Sequence, residues 1–536
     1  MENYIRAFIT ITRYILPIFS VILVFCCANG LLSKRKRGYT VLLLTDDMKE
    51  REIKDGEFII GSDEDCDIVM DKTDGKHLVL SVLGKDFSLR PLFKNKVGIN
   101  KHSVKEETRF SPDDVLNAGD REFSLRIKNN RGKSFFNGHL YKAAALCCLT
   151  LIQFFVALSL CFIFTDKMLV IGAVFLLLIV GEWLYFTLTK FKGAFIEIPI
   201  LFLVTLGLSV AAHKNSSALI KQFICLVIGV IGCIILSKII MSSKRAIKLR
   251  FIAFILGATL FGANLLFGVI YNGAQNWINI GGFSFQPSEF IKVALVFICG
   301  ASVEKLSSIK DIFLFIVFSL FCLGSLFYLS DFGTALIYAI VFFTVVAIRI
   351  CSVKLIAILS AFAFAVGGAV MIFFPYVAKR IFSFGKAFEN AYDSGYQQTR
   401  AMIATASGGL FGVGGGRGTL INVSAADTDI VFGLISEEFG LIISLCVMSV
   451  FIVFVLYSIR VLTNSKSTYY SVTACATSVL LLTQTALNVF GTLDMLPFTG
   501  VTLPFISNGG SSLISCLVLT AFLRTPLILS NGGASK

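Results

Sequence analysis

Asp429, Glu437 and Glu438 are the carboxylates around which the chemistry of this chain gathers. They close a glycine-rich polar stretch, residues 395–440 (GYQQTRAMIATASGGLFGVGGGRGTLINVSAADTDIVFGLISEEFG), and lead into a long apolar run. Lipid offers an ionised group no partner, so one carboxylate at the mouth of a membrane helix and two deeper in it are candidates for function. Helix rise sets Glu437 and Glu438 about 12 Å beyond Asp429. At about 100° per residue Glu438 points away from the Asp429 face and Glu437 lies nearer to it, so this pair reads as structural. Asp429 itself has two readings, a general base or a cap on the helix that follows. Glu289 and Lys292 stand three apart at the start of another apolar run, where they can share one face and neutralise each other.

The longest connection between apolar runs, 375–428, carries Lys379, Arg380, Lys386, Arg400 and Arg417. The planar fork of arginine matches phosphate oxygens, so these cations suit phosphate groups, those of lipid heads included. GVGGGRG is no nucleotide cradle, because that fingerprint needs a preceding strand and a following helix. No CxxC pair stands among the 14 cysteines, most of which lie in apolar runs as small hydrophobes.

The elements that must position these residues are membrane spans. The 536 residues are 56% hydrophobic and 15% charged, with mean hydropathy +0.81. That composition belongs to a polytopic membrane protein. The net charge of +14 reflects Lys and Arg in cytoplasmic loops rather than nucleic-acid binding, since no basic stripe with interleaved aromatics is present. About thirteen spans are expected: 14–33, 139–163, 168–190, 194–212, 219–240, 248–271, 289–304, 311–329, 333–350, 354–374, 429–459, 469–490 and 509–529. The first reads as an anchor rather than a signal peptide, because Lys34, Arg35, Lys36 and Arg37 follow at once. Cations at 244–250, 305–310, 349–354 and 460–466 fall on one side. Taken as cytoplasmic, they put the C-terminus inside and the N-terminus and the 375–428 loop outside.

Residues 38–130 are different. TVLLL, EFIIG, CDIVM, HLVLSVL, FSLRPL and REFSLRI, separated by Asp, Gly, Lys and Asn turns, predict an antiparallel β-sandwich on the cytoplasmic side. IIGSDEDCDIVM, DGKH, NKVGIN and DDVLNAGD resemble a forkhead-associated (FHA) domain, a module that binds phosphothreonine peptides. His77 and Asn95 fit that family's pattern. Ser62 stands in place of its arginine and Asp74 in place of its serine, which favours a protein-docking sandwich over a phosphopeptide reader.

Four segments, NGAQNWINIGGFSFQPSEFIKVAL (272–295), SDFGTAL (330–336), 395–440 and NVFGTLDMLPFTGVTLPFISNGGSS (488–512), together resemble the SEDS family (shape, elongation, division and sporulation). Members are ten-span glycosyltransferases that polymerise lipid II into peptidoglycan. The resemblance implies a core at 194–530, preceded by an anchor (1–37), the sandwich (38–130) and an extra hairpin (139–190), so about three spans are additions. It implies that Asp429 is the catalytic base on the acceptor 4-hydroxyl, displacing undecaprenyl pyrophosphate. It also places Trp277, Gln286, Ser288, Glu289, Lys292, Asp331, Arg380, Gln397, Arg400, Arg417 and Ser507 along the substrate cavity. Pro504, Gly509 and Gly510, with Pro497 and Gly500, break the helix for a re-entrant turn walling that cavity. Asn276, Ser330, Asp427 and Asn508 depart from the family pattern, which has Arg, Pro, His and Tyr there. Asp427 sets a second carboxylate two residues from Asp429, able to raise one pKa or to help bind a divalent cation, magnesium or manganese; no other cofactor is implied. Expected partners are lipid II, undecaprenyl-pyrophosphate-linked glycan, a class B penicillin-binding protein and a cytoplasmic protein bound to the sandwich. The competing readings are a lipid II flippase and a silent scaffold.

Overall fold

The computed structural model describes residues 2–32, 39–45, 50–53, 56–63, 66–69, 76–83, 86–92, 97–100, 102–104, 106–112, 114–118, 121–129, 134–271, 274–280, 283–303, 309–350, 353–465 and 467–532. Two compact units result, one of 34–140 and one of 1–33 with 141–536.

In the smaller unit, strands between Tyr39 and Asn129 build a six-stranded and a five-stranded sheet. Tyr39–Thr45 pairs antiparallel with Arg121–Asn129, and Lys76–Leu83 with Asp86–Pro91. Alternate residues point inward, so Leu43, Leu78, Leu80, Val82, Phe87, Leu116, Phe123 and Leu125 form the core. Ser62 is exposed and His77 buried. Asp74 and Asn95 lie outside the described residues.

The larger unit is helical. Its helices are α1 (Glu2–Leu32), α2 (Ser134–Ile163), α3 (Met168–Thr189), α4 (Ala194–Lys214), α5 (Ser216–Ile240), α6 (Ser243–Phe267), α7 (Pro287–Val303) and α8 (Ile309–Tyr328). There follow α9 (Phe332–Ile350), α10 (Val353–Phe373), α11 (Pro375–Ser383), α12 (Tyr396–Gly408), α13 (Val431–Asn464), α14 (Thr468–Thr492), α15 (Gly510–Leu519) and α16 (Ala521–Gly532). Among the described residues nine helical segments are long and apolar enough to cross a membrane, or up to ten if a pair bent by 107° at the end of α10 counts as one. The apolar stretches of α8 and α9 are shorter, and α7 has 17 residues.

Helix α4 is largely apolar and buried almost throughout, which makes it the central post of the bundle. Helix α1 packs along α13, where Arg460 donates to the Leu31 carbonyl (2.8 Å) and the Tyr14 ring meets Phe411 edge-on. Between α2, α3 and α4, Gln153 donates to both oxygens of Glu182 (2.8 and 2.9 Å), so that carboxylate is buried with a partner.

Three elements differ from the expectation. The 248–271 span stops at Phe267, and Val269–Tyr271, Ala274–Ile280 and Phe283–Phe285 form a three-stranded antiparallel sheet. Its β-branched and aromatic residues suit a pleated surface better than a helix. The 375–428 connection contains two helices, α11 and α12. The 429–459 span begins at Val431 and is broken at Gly440, whose φ of 83° and ψ of 173° are not helical.

Candidate active site

Asp429 lies on a turn rather than within a helix. The Asp429 and Ile430 amides both reach back to the Ala425 carbonyl (2.9 and 3.3 Å), Ala425 having a φ of 58°. Three successive carbonyls of this turn are then held by the 488–508 segment. The Asn508 amide donates to Asp427 (2.8 Å), the Ser507 hydroxyl to Thr428 (2.6 Å) and the Asn488 side chain to Asp429 (2.8 Å). Ser507 Oγ also accepts from the Leu503 amide (2.8 Å), and Asn488 Nδ2 donates to Val501 (2.8 Å). Every such bond satisfies a main-chain group that lies away from bulk water.

The backbone is thus pinned while the Asp429 carboxyl is left for other work. Gly500, with φ of 68°, faces it so closely that a Cβ there would stand 3.4 Å from Oδ2. Burial pushes the Asp429 pKa up to about 6; a bond from Thr428 lowers it, the Asp427 charge raises it and Arg380 lowers it. Such a group is a carboxylate at neutral pH and close enough to it to take up a proton. Asp427 is already engaged: Lys214 Nζ lies 2.6 Å and Asn508 Nδ2 2.8 Å from its Oδ2. Among the described residues no group of three or more His, Cys, Asp or Glu stands close enough to hold a metal ion.

Glu437 and Glu438 close the break in α13. A broken helix leaves amides and carbonyls without partners, and residues 409–414 supply them. Val413 and Gly414 donate to the Glu437 and Glu438 carbonyls (2.8 and 2.9 Å), while the Leu441 and Ile442 amides find Gly409 and Leu410 (2.9 and 3.3 Å). A Cβ at Gly440 would collide with the backbone of Leu410 and Gly412, which explains a glycine there. The side chains finish the work. Glu437 accepts from the Thr419 amide (2.9 Å), the Thr419 hydroxyl (2.8 Å) and the Leu420 amide (3.0 Å); Glu438 accepts from Gly418 (3.3 Å) and pairs with His213 (2.6 Å).

A second buried polar cluster joins α7, α14 and α15. Lys292 meets Glu289 at 2.6 Å and donates to Gln484 (3.0 Å), and Ser515 donates to Glu289 (2.8 Å). Gln484 in turn donates to the Thr502 carbonyl (3.0 Å). Asp331 accepts from the Thr334 amide (3.1 Å), capping α9. The Ser288 carbonyl accepts from Tyr338 (2.7 Å), and the Gln286 amide donates to Ser511 (3.2 Å).

The remaining residues are more dispersed. Trp277 is in the middle strand of the small sheet, paired with Val269. Gln397 donates to Ser424 (3.0 Å), three residues before Asp427. Arg380 is exposed on α11 and acts on Asp429 through its charge. Arg400 lies over the ring of Tyr396, 5.3 Å from its centroid, and Arg417 projects from the loop that Glu437 and Glu438 hold. Gly509 flanks α15 at its first turn and Gly510 begins it; Pro504 lies in the segment whose Ser507 and Asn508 hold the Asp429 turn. Lys214 was not legible as a site residue; its one signal is the His213–Lys214 pair ending an apolar run whose other charged residue is Glu197.

A family model described as cell cycle protein, FtsW/RodA/SpoVE, matches residues 182–526. Stage V sporulation protein E of Bacillus subtilis is 32% identical over 268 residues, 48% of this chain and 72% of that protein. The probable peptidoglycan glycosyltransferase FtsW of Trichlorobacter lovleyi is 29% identical over 322 residues, 58% of this chain and 84% of that one. A solved chain of a peptidoglycan synthase complex that coordinates polymerization and crosslinking superposes with a TM-score of 0.53 at 23% identity, covering 64% of this chain and 98% of its own.

Proposed function

Since this chain belongs to the FtsW/RodA/SpoVE family of cell cycle proteins, we propose that Asp429 is the general base of a lipid II polymerase. The protein is a multi-pass membrane peptidoglycan glycosyltransferase, serving cell shape, division or sporulation. The reading rests above all on the Asp429 turn: a pinned backbone, a half-buried carboxyl and a pKa near 6.

In this reaction the acceptor 4-hydroxyl gives its proton to Asp429 as its oxygen bonds to the donor anomeric carbon. The bond from that carbon to the diphosphate breaks, and the electron pair leaves with undecaprenyl pyrophosphate. Arg380, whose charge already reaches Asp429, is the first claimant for the departing diphosphate. Arg400 and Arg417 are further candidates, and Gln286, Ser288, Glu289, Lys292 and Asp331 shape the inner wall. The loop of 375–428 and the N-terminus face outward, while the sandwich and the C-terminus face the cytoplasm. There the sandwich docks a protein partner, and the core works beside a class B penicillin-binding protein that crosslinks the strand.

The test is glycan-strand formation from labelled lipid II by the purified full-length chain with a partner transpeptidase, comparing wild type with Asp429→Asn. Polymer from the wild type and none from a folded variant supports the assignment; equal polymer from both overturns it.

A further inference from the structure

Two residues of the Asp429 surroundings, Asp427 and Asn508, touch each other. Asn508 binds Asp427 twice, through its amide to the carbonyl (2.8 Å) and through Nδ2 to Oδ2 (2.8 Å). A third residue, Lys214, completes the set. It ends α4 and places Nζ 2.6 Å from the same Oδ2, bridging 213 positions of sequence. The Asp427 side chain is 9% exposed and that of Lys214 46%, so the carboxylate is shielded while the ammonium still meets solvent. Next door, α5 also grips this segment, Gln222 donating to the Ser507 carbonyl (3.1 Å).

The arrangement has an electrostatic purpose. A carboxylate two residues from a general base opposes ionisation of that base. A cation bonded to it removes most of that opposition. The end of α4 is a favourable place for such a cation, because the unpaired carbonyls there carry partial negative charge.

We propose that Lys214 is a positioning residue for polymerisation, its ion pair with Asp427 fixing the turn that presents Asp429 and cancelling the second carboxylate beside it. This rests on the reading of Asp429 as the base. Among the described residues the charges that act on Asp429 are Asp427 on its own turn and Arg380 on α11, and Lys214 on α4 reaches the site through its bond to Asp427. The neighbouring His213 is committed to Glu438, and Asp494 accepts from the Ala387 amide (2.8 Å). Lys214 is therefore the counter-charge bonded directly to Asp427, together with the neutral Asn508.

The experiment is the pH profile of strand formation from labelled lipid II by the full chain, from about pH 5 to about 9, for wild type, Lys214→Met, Lys214→Arg and Lys214→Met/Asp427→Asn. Loss of the cation leaves Asp427 uncompensated, so the acid limb of Lys214→Met is expected to move up by about one unit. Lys214→Arg keeps the wild-type limb, and the double variant returns to it, which a purely structural loss does not do. Coincident limbs for wild type and Lys214→Met, with Asp429→Asn inactive, overturn the role of Lys214 alone. A double variant displaced as far as the single one does the same. Wild-type activity in Asp429→Asn overturns the base assignment and this proposal with it.

Discussion

The turn at 427–429 and the pair at 437–438 lie one helical stretch apart, and they use carboxylates in opposite ways. Around Asp429 the backbone carbonyls are satisfied by Asn508, Ser507 and Asn488, and the acid itself is left with room to react. Around Glu437 the acid is consumed, its oxygens taking three donors from Thr419 and Leu420. Fixing the main chain and freeing the side chain makes a site. Spending the side chain on the main chain makes a joint.

That contrast is broken most sharply by charge removal. Asp429→Asn should cut the rate of strand formation by about a thousandfold with an unchanged melting temperature, because only the proton acceptor is lost. In the wild type, the rate should fall tenfold per unit as pH drops below about 6, since a protonated carboxyl cannot accept the hydroxyl proton. Glu437→Ala should do the reverse of Asp429→Asn. With the amides of Thr419 and Leu420 stripped of an acceptor, it should cost about 3 kcal/mol of stability, read as a lowered thermal transition in detergent. Gly440→Ala should cost about 2 kcal/mol by the same measurement, because a side chain is forced into positive φ against a neighbouring backbone. The smallest effect falls between the two regions. Ser507→Ala releases one carbonyl of the Asp429 turn, and should lower the rate about tenfold through loss of geometry while moving stability by about 1 kcal/mol.

How much of this could be read in advance follows from distance along the chain. Helices announce themselves in runs of about twenty apolar residues, and strands in alternation over a few, so the membrane bundle and the β-sandwich were both legible. The three-stranded sheet at 269–285 was not, since Val269, Ile270 and Tyr271 prolong the apolar run of α6 without a break. Nor was the break at Gly440, because a glycine after Glu437, Glu438 and Phe439 continues a helical pattern and betrays nothing of the loop that fills the gap. Asp429 was marked by residues beside it. What holds it was not, because Asn488 is 59 positions away and Asn508 lies 81, and Lys214 213, from Asp427. A local motif names a reactive group, whereas its supports are recruited from wherever the fold brings a donor.

The packing of α1 along α13 has a consequence for biogenesis. Helix α1 meets α13 only after every element between them in the chain has been made. Until then its inward face, including the side of Tyr14 that later meets Phe411, has only lipid or the earlier helices to rest on. Closure of the bundle is therefore a late event with a long loop to bridge. A ribosome stalled before α13 would leave an anchored but unfinished polymerase, its glycine-rich loop without the helix break it is built to fill.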